Sequence, residues 1–216
     1  MEFELNDLPE MPDPSEHLDD DVYRELTTVQ EEVNEMDELT EAIVGELEDT
    51  DNWHPQAESM SCAVSVQEII AEQLLEREFS EQAVIEYAEA EGWYDPETGT
   101  SMDDTGNILE SMGLEVDREY NENVSDLVEA LDNGDKIIVA VDNMTLADPR
   151  YAEIPGRSAN HAVQVVAIDF SDTENPQVIL NDTGVPDGQG IRHDLDIFVA
   201  AWNTSDNFAV YARKGM

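Results

Sequence analysis

QAESMSCAVSVQEII, residues 56–70, is a polar turn that leads directly into an amphipathic helix. Its Cys62 is the single cysteine of the chain and stands where this helix is predicted to begin. A thiol at a helix N-terminus experiences the positive end of the helix dipole and unpaired backbone N–H groups, which stabilise the thiolate and lower the pKa of the cysteine. The position suits a nucleophile, although a lone cysteine in an intracellular protein is more commonly a small buried apolar residue.

Two more side chains with the chemistry of a catalytic triad follow later in the sequence. His161 opens a strand-like apolar run, HAVQVVAID, and Asp182 ends a shorter one, VILND. An imidazole can take the proton from a thiol, and a carboxylate can orient the imidazole. The chain therefore contains the thiol, the imidazole and the carboxylate that nucleophilic catalysis by cysteine requires.

The composition indicates one globular domain with an N-terminal appendage. The 216 residues are 40% hydrophobic, which is enough to build a real core. The sequence contains neither a run of about 20 apolar residues nor a basic and apolar secretory signal, so it predicts a cytoplasmic protein without a membrane span. One cysteine cannot form an internal disulfide, which fits a reducing compartment.

The net charge of −44, from 53 acidic and 9 basic residues, limits the choice of partners. The basic residues are scattered singly, so nucleic acid and anionic membranes are poor partners. Repulsion among the carboxylates favours folding at high salt, where it is screened. Such a surface resembles that of proteins from salt-accumulating halophiles, and an acidic protein from an ordinary cell is the alternative.

Two segments are predicted ahead of the globular domain, which occupies residues 49–216. Residues 1–19 are rich in acids and proline and predict a disordered acidic tail. Apolar residues then recur in steps of three and four over 20–48, which predicts a heptad helix that needs a partner surface. That surface could belong to the domain itself, to a second copy in a homodimer or to another protein, and a pro-segment that covers the site is a further alternative.

Within residues 49–216 the patterns predict helices first and strands second. After a linker at 49–56, helices are predicted at residues 62–77, 80–91, 101–112 and 125–132. Strands are predicted at residues 136–142, 161–169, 177–181 and 208–213, with a short helix at 195–202 before the last strand. A helical half followed by a stranded half is an α+β arrangement.

The order of these motifs resembles that of the papain-like cysteine peptidases. Gln56 precedes Cys62 at a helix start, His-Ala-Val-x-Val-Val begins at His161, and Asn-Asp follows at Asp182. The chain is most similar to the branch of bacteriocin-processing, double-glycine-leader peptidases and their stand-alone relatives. The resemblance implies a papain-like catalytic domain, with the nucleophile at a helix start and the histidine and the acid on an antiparallel sheet.

Carried over residue by residue, the resemblance makes Cys62 the nucleophile, His161 the general base and Asp182 the group that orients the imidazole. The side-chain amide of Gln56 would join the backbone N–H of Cys62 in an oxyanion hole. The implied activity is that of a cysteine peptidase, a thiol hydrolase that cleaves a peptide or amide bond of a peptide or protein substrate through an acyl-enzyme. Two alternatives stay open: a non-catalytic papain-like binding module, and a transferase in which an amine intercepts the acyl-enzyme.

Neither a cofactor nor a metal is predicted. Residues 182–190 resemble a calcium loop but lack its final glutamate, and zinc would need paired Cys or His ligands. His54 is interpreted as a loop residue and His193 as a surface group at a helix start. The loop at 142–159 leads to His161 and could line the cleft, act as a lid or be an ordinary surface connection.

Overall fold

The computed structural model describes residues 42–215. The predicted tail at 1–19 and residues 20–41 of the predicted heptad helix lie outside the described residues. The end of that predicted helix is wrong, because Ile43–Gly45 forms a strand, β1, and Leu47–Asn52 forms a 3-10 helix. Residues 43–45 pair with residues 167–169 of the sheet, so backbone pairing with another strand overrides the local helical spacing.

Helices dominate the part of the chain that precedes the long strands. The α-helices of residues 42–215 are α1 (Cys62–Leu75), α2 (Glu81–Glu91), α3 (Asn107–Ser111), α4 (Val124–Asp132), α5 (Asn143–Ala147) and α6 (Leu195–Trp202). Two further 3-10 helices, Pro149–Glu153 and Asn203–Ser205, follow α5 and α6. Asn123 begins α4 with a capping box, since its side chain accepts from the N–H of Asp126 while the Asp126 carboxylate accepts from the N–H of Asn123.

The strands form one antiparallel sheet. After β1 come β2 (Leu114–Glu119), β3 (Lys136–Val141), β4 (His161–Asp169), β5 (Gln177–Asn181), β6 (Ile191–Asp194) and β7 (Ala209–Lys214). Their order across the sheet is β2-β7-β3-β4-β5-β6, and β1 pairs with the end of β4 that β3 does not reach. The predicted α+β class is confirmed.

Both faces of the sheet are covered by helices, and β3 shows this most directly. Its Ile137, Val139 and Val141 join the core under α4 and α6, whereas Ile138 and Ala140 face the core that contains α1. Successive side chains of a strand point to opposite faces, so a strand buried on both faces reads as a continuous apolar run. This is why the sequence run at 136–141 has no polar alternation.

The helix α1 is the central helix of the domain and is buried on most of its surface. Its Val66 and Ile70 pack against the sheet, while Val64 packs with residues of α2 and α3. Helix α1 is therefore held from both sides, and its first residue, Cys62, has a fixed place over the sheet.

The predicted helix at 101–112 is shorter in the structure, where α3 begins only at Asn107. Gly106 adopts a φ of +103°, and a Cβ at this position would lie 2.9 Å from Val116 Cγ1. Its N–H donates to Oε1 of the buried Gln67, 2.8 Å away. Tertiary contacts thus set the start of α3. The strands β2 and β6 were not predicted from the sequence.

Candidate active site

Cys62 lies where the sequence predicted, at the first position of α1. The preceding residue, Ser61, is fully buried, and its hydroxyl donates to the carbonyl of Glu58 at 3.0 Å. This turn orients the chain as it enters the helix. The thiol is placed at the wall of a cleft that His161 and Asp182 also line.

His161 and Asp182 come together because β4 and β5 are neighbouring strands. His161 is the first residue of β4, and Asp182 directly follows β5, whose Asn181 pairs with Gln164. Nε2 of His161 lies 2.7 Å from Oδ1 of Asp182. The carboxylate therefore occupies one ring nitrogen and leaves the other, Nδ1, for a partner on the side of α1.

That partner is Cys62, and the electrostatics of the pair favour the charged form of both groups. Burial raises the pKa of the Cys62 thiol, but hydrogen bonding and charge attraction from His161, with the N–H groups of Ala162 and Ala63, bring the pKa below its ordinary value. Burial lowers the pKa of His161, but the hydrogen bonds and charges of Asp182 and Cys62 raise it by more. The pKa of His161 therefore lies above its ordinary value. A lowered thiol pKa beside a raised imidazole pKa describes a thiolate–imidazolium pair.

Asp182 is itself held by hydrogen bonds to Gly184, Trp53 and Gly188. Its Oδ1 accepts the N–H of Gly184 at 2.8 Å, and its carbonyl accepts the indole N–H of Trp53 at 2.8 Å. Its own N–H donates to the carbonyl of Gly188 at 2.9 Å. Burial raises the pKa of Asp182, but His161 and the N–H of Gly184 lower it more, so the carboxylate stays ionised.

Gln56, the predicted oxyanion-hole residue, lines the same cleft as Cys62. Its backbone N–H donates to the carbonyl of Thr183 at 2.9 Å, and its side-chain Oε1 accepts from the Thr183 hydroxyl at 3.3 Å. Its Nε2 donates to the carbonyl of Glu58 at 2.7 Å. An amide nitrogen carries two N–H bonds, so one further donor remains for a substrate oxygen.

The cleft has a volume of about 900 Å³ and is large enough for a segment of peptide. One wall comes from the loop between β3 and β4, where Met144 and Pro149 line the cleft. This loop carries α5, which the sequence did not predict, and it is fastened by a hydrogen bond of 3.0 Å from the N–H of Asn143 to Oδ1 of Asn160. The sequence left open whether this loop lines the cleft, acts as a lid or is an ordinary surface connection, and in the structure it lines the cleft.

His193 is a cleft residue that the sequence misplaced. It belongs to the strand β6 and lines the cleft, whereas the sequence predicted a surface group at a helix start. Its Nε2 is buried and bonds to no other group among residues 42–215. Burial lowers the pKa of His193, against the attraction of Asp182 and Asp194, so its imidazole is the neutral form near pH 7.

Within residues 42–215, no three His, Cys, Asp or Glu side chains are grouped so that they could hold a metal ion. The same residues contain no helix that is both long and apolar enough to cross a membrane.

A cysteine that begins a central helix, with a histidine and an acid on neighbouring antiparallel strands, defines the papain-like cysteine peptidase fold, and this chain has that fold. Three solved structures illustrate it. A putative C39-like peptidase from Bacillus anthracis matches with a TM-score of 0.60 and 11% identity, over 80% of this chain and 98% of that chain. The peptidase domain of Streptococcus ComA, a bifunctional ABC transporter involved in a quorum-sensing pathway, matches with a TM-score of 0.53 and 17% identity, over 76% and 98%.

Bromelain from Ananas comosus, solved in complex with the E64 inhibitor, matches with a TM-score of 0.50 and 16% identity, over 82% of this chain and 100% of that chain. These matches confirm the fold that the sequence resemblance implied, and the neighbours are cysteine peptidases. No protein-family model matches the sequence. No curated protein matches it either.

Proposed function

We propose that this protein is a cysteine peptidase, a thiol hydrolase that cleaves a peptide or amide bond of a peptide or protein substrate through an acyl-enzyme. The observation that carries the proposal is the arrangement of Cys62, His161 and Asp182 in one cleft, with 2.7 Å between the imidazole Nε2 and the carboxylate. A structural thiol has no need of a partner that lowers its pKa, whereas a nucleophile does.

In the proposed reaction the Cys62 thiolate attacks the carbonyl carbon of the scissile bond. The carbonyl oxygen becomes an oxyanion, which accepts hydrogen bonds from the Cys62 backbone N–H and the free amide N–H of Gln56. His161 then gives its proton to the leaving amine as the C–N bond breaks, which leaves a thioester on Cys62. Water, deprotonated by His161, hydrolyses this thioester and restores the thiolate.

The decisive experiment measures the rate of Cys62 alkylation by iodoacetamide against pH, in concentrated salt, for the wild type and His161→Ala. We expect a rate plateau that extends well below the free thiol pKa of about 8.5 in the wild type and is lost in His161→Ala. His193→Ala is the matched control, because it removes a histidine of the same cleft whose Nε2 bonds to no other described group. It should keep the plateau.

A single titration near pH 8.5 in the wild type, unchanged in His161→Ala, would contradict the proposal and favour a papain-like binding module. Hydrolysis and transfer are separated afterwards by adding an amine nucleophile to the acyl-enzyme. A transferase gives the amide product in preference to the acid.

A further inference from the structure

A second set of ionisable groups lies outside the cleft, between the helices α1 and α2 and the segment that carries Gln56. Glu68 of α1 has a side chain only 2% exposed, and its Oε2 lies 2.6 Å from Nε2 of His54. Glu81 of α2 lies on the other side of the imidazole, with its Oε2 3.8 Å from His54 Nδ1. The proposed mechanism uses none of these three side chains.

Glu81 also binds the polypeptide backbone next to Gln56. Its Oε1 accepts the N–H of Ala57 at 2.9 Å and a short hydrogen bond from the hydroxyl of Ser65 on α1. Glu68 and Glu81 therefore hold the two residues that flank Pro55 and Gln56, one through the His54 side chain and one through the Ala57 backbone.

The other side of this segment is bound to the turn that directly follows β5 and contains the acid. Two hydrogen bonds of Gln56 join it to Thr183, the residue after Asp182, and a third runs to the carbonyl of Glu58. The segment 54–57 thus bridges the helical half, which supplies Cys62, and the sheet, which supplies His161 and Asp182. Its position decides where the Gln56 amide lies relative to the thiol.

Stability alone gives little reason to bury the Glu68 carboxylate against a His54 side chain that is itself only half-buried. The desolvation of a carboxylate commonly cancels the attraction of its partner, and apolar residues of the same volume often serve stability as well or better. A charged hydrogen bond does fix direction and distance closely. The arrangement is better explained by a requirement for geometry.

We propose that Glu68 and Glu81 are positioning residues, which act through His54 and the Ala57 backbone to hold the Gln56 amide at the oxyanion hole. This proposal rests on the proposed function, since an oxyanion forms only if Cys62 attacks a carbonyl. Its chemical consequence is that these residues affect steps with an oxyanion and leave the reactivity of the thiolate itself unchanged.

The charge state of His54 supports the same role and adds a pH dependence. The groups that face its ring are Glu68 from α1, Glu81 from α2 and the carbonyl of Pro55, and Glu72 lies near Glu68. Hydrogen bonding to Glu68 and the charges of Glu68 and Glu81 raise the pKa of His54 to about 9, against the effect of burial. A neutral imidazole donates from only one ring nitrogen, so deprotonation weakens the attachment.

Two reactions of Cys62 separate positioning from general damage. Alkylation by iodoacetamide displaces iodide at a saturated carbon and forms no oxyanion. Acylation by p-nitrophenyl acetate forms one: the thiolate attacks the ester carbonyl, the C–O bond breaks, p-nitrophenolate leaves and an acetyl thioester remains. The ratio of the two rates, measured on the same preparation of full-length protein, reports on the oxyanion hole.

We expect Glu68→Gln and His54→Ala to lower the acylation rate by about tenfold or more, since a displacement of about 1 Å can cost about 100-fold. Their alkylation rates should stay within about twofold of the wild type. Gln56→Ala sets the benchmark for loss of the donor. Glu89→Gln, which removes an exposed carboxylate from the same helix as Glu81, is the matched control and should change neither rate.

The variant His54→Gln distinguishes a positioning role of His54 from a purely structural one. Its neutral amide can replace the Nε2 donor to Glu68, so acylation should largely recover relative to His54→Ala. The wild type should lose acylation rate as pH rises through about 9, and His54→Gln, which cannot deprotonate, should not.

Three results would overturn or redirect the inference. An unchanged ratio in folded Glu68→Gln and His54→Ala overturns it. A parallel fall of both rates together with the melting temperature also overturns it, because the network would then only support the fold. A wild type without the low-pH alkylation plateau would instead refute the proposed function itself, and the two failures are thus distinguishable.

Discussion

Replacement of Gly184 by alanine tests the geometry of the His161–Asp182 pair without removing either side chain. A Cβ at this position would lie 2.8 Å from Cε1 and 3.1 Å from Nε2 of His161, and 3.3 Å from Oδ1 of Asp182. Gly184 is not among the residues with positive φ, so alanine fits its backbone conformation. The expected effect therefore comes from the contact with the imidazole.

The size of the effect follows from the displacement that the new methyl group imposes. Ordinary contact begins near 3.4 Å, so the ring and the methyl group must separate by about 0.6 Å. Such a movement lengthens the 2.7 Å bond from Nε2 to Asp182 and shifts Nδ1 relative to the thiol. Since a misplacement of about 1 Å can cost about 100-fold in rate, we expect acylation of Cys62 to fall by roughly 10- to 50-fold.

The assay is acylation by p-nitrophenyl acetate, together with the pH profile of iodoacetamide alkylation. In Gly184→Ala the alkylation plateau should shift to higher pH, because a displaced imidazolium stabilises the thiolate less. Gly215→Ala is the control, since a Cβ there meets the exposed Glu115 side chain at ordinary contact distances, 3.5 Å from Oε1 and farther from its carbons. Wild-type rates and an unshifted profile in folded Gly184→Ala would refute the described packing of Gly184 against His161.

The remaining predictions concern stability. Arg157→Met removes the ion-pair partner of the fully buried Asp142 carboxylate and leaves it only the hydrogen bonds from Thr145, whose hydroxyl donates at 2.6 Å. Because an unpaired buried charge is costly, the free energy of unfolding measured by urea titration near pH 7 should fall by about 3 kcal/mol. The ion pair and the Thr145 donors lower the pKa of Asp142 from 3.8 to about 2. The contribution of the ionised carboxylate to wild-type stability is therefore complete above pH 3.8 and is lost as pH falls through about 2. The difference in unfolding free energy between wild type and Arg157→Met should shrink in that range, and a difference that grows on acidification would contradict the prediction. The protein has a net charge of −44, and salt screens the repulsion among its carboxylates over a length that falls from about 10 Å at 0.1 M to about 3 Å at 1 M. The melting temperature should therefore rise with added KCl or NaCl. A flat or falling melting temperature would refute the role of charge repulsion.

Long, strongly patterned segments were predictable from the sequence. The strand at His161–Asp169, the strand at Gln177–Asn181 and the helix at Leu195–Trp202 have the predicted bounds. Each is a largely apolar run bounded by polar residues, so local pattern and tertiary environment agree. The start of α1 at Cys62 was predictable for the same reason.

Short or conditional elements were not predictable. The spacing of Ile43 and Leu47 matched a heptad, but residues 43–45 pair with β4 where β3 has ended. Whether such a segment is a strand depends on an unpaired sheet edge that other parts of the chain create. Likewise α3 begins late because Gly106 is fixed by Gln67 and by contact with Val116.

The candidate site divides in the same way. The sequence by itself determined which side chains have suitable chemistry, because Cys62 at a helix start and His161 at a strand start are local features. Only the tertiary structure decided that β4 and β5 are neighbours, which brings His161 to 2.7 Å from Asp182, and that Glu68 meets His54 beside the segment of Gln56. Contacts between distant parts of a chain depend on how helices and strands pack, and local residue patterns carry no record of that packing.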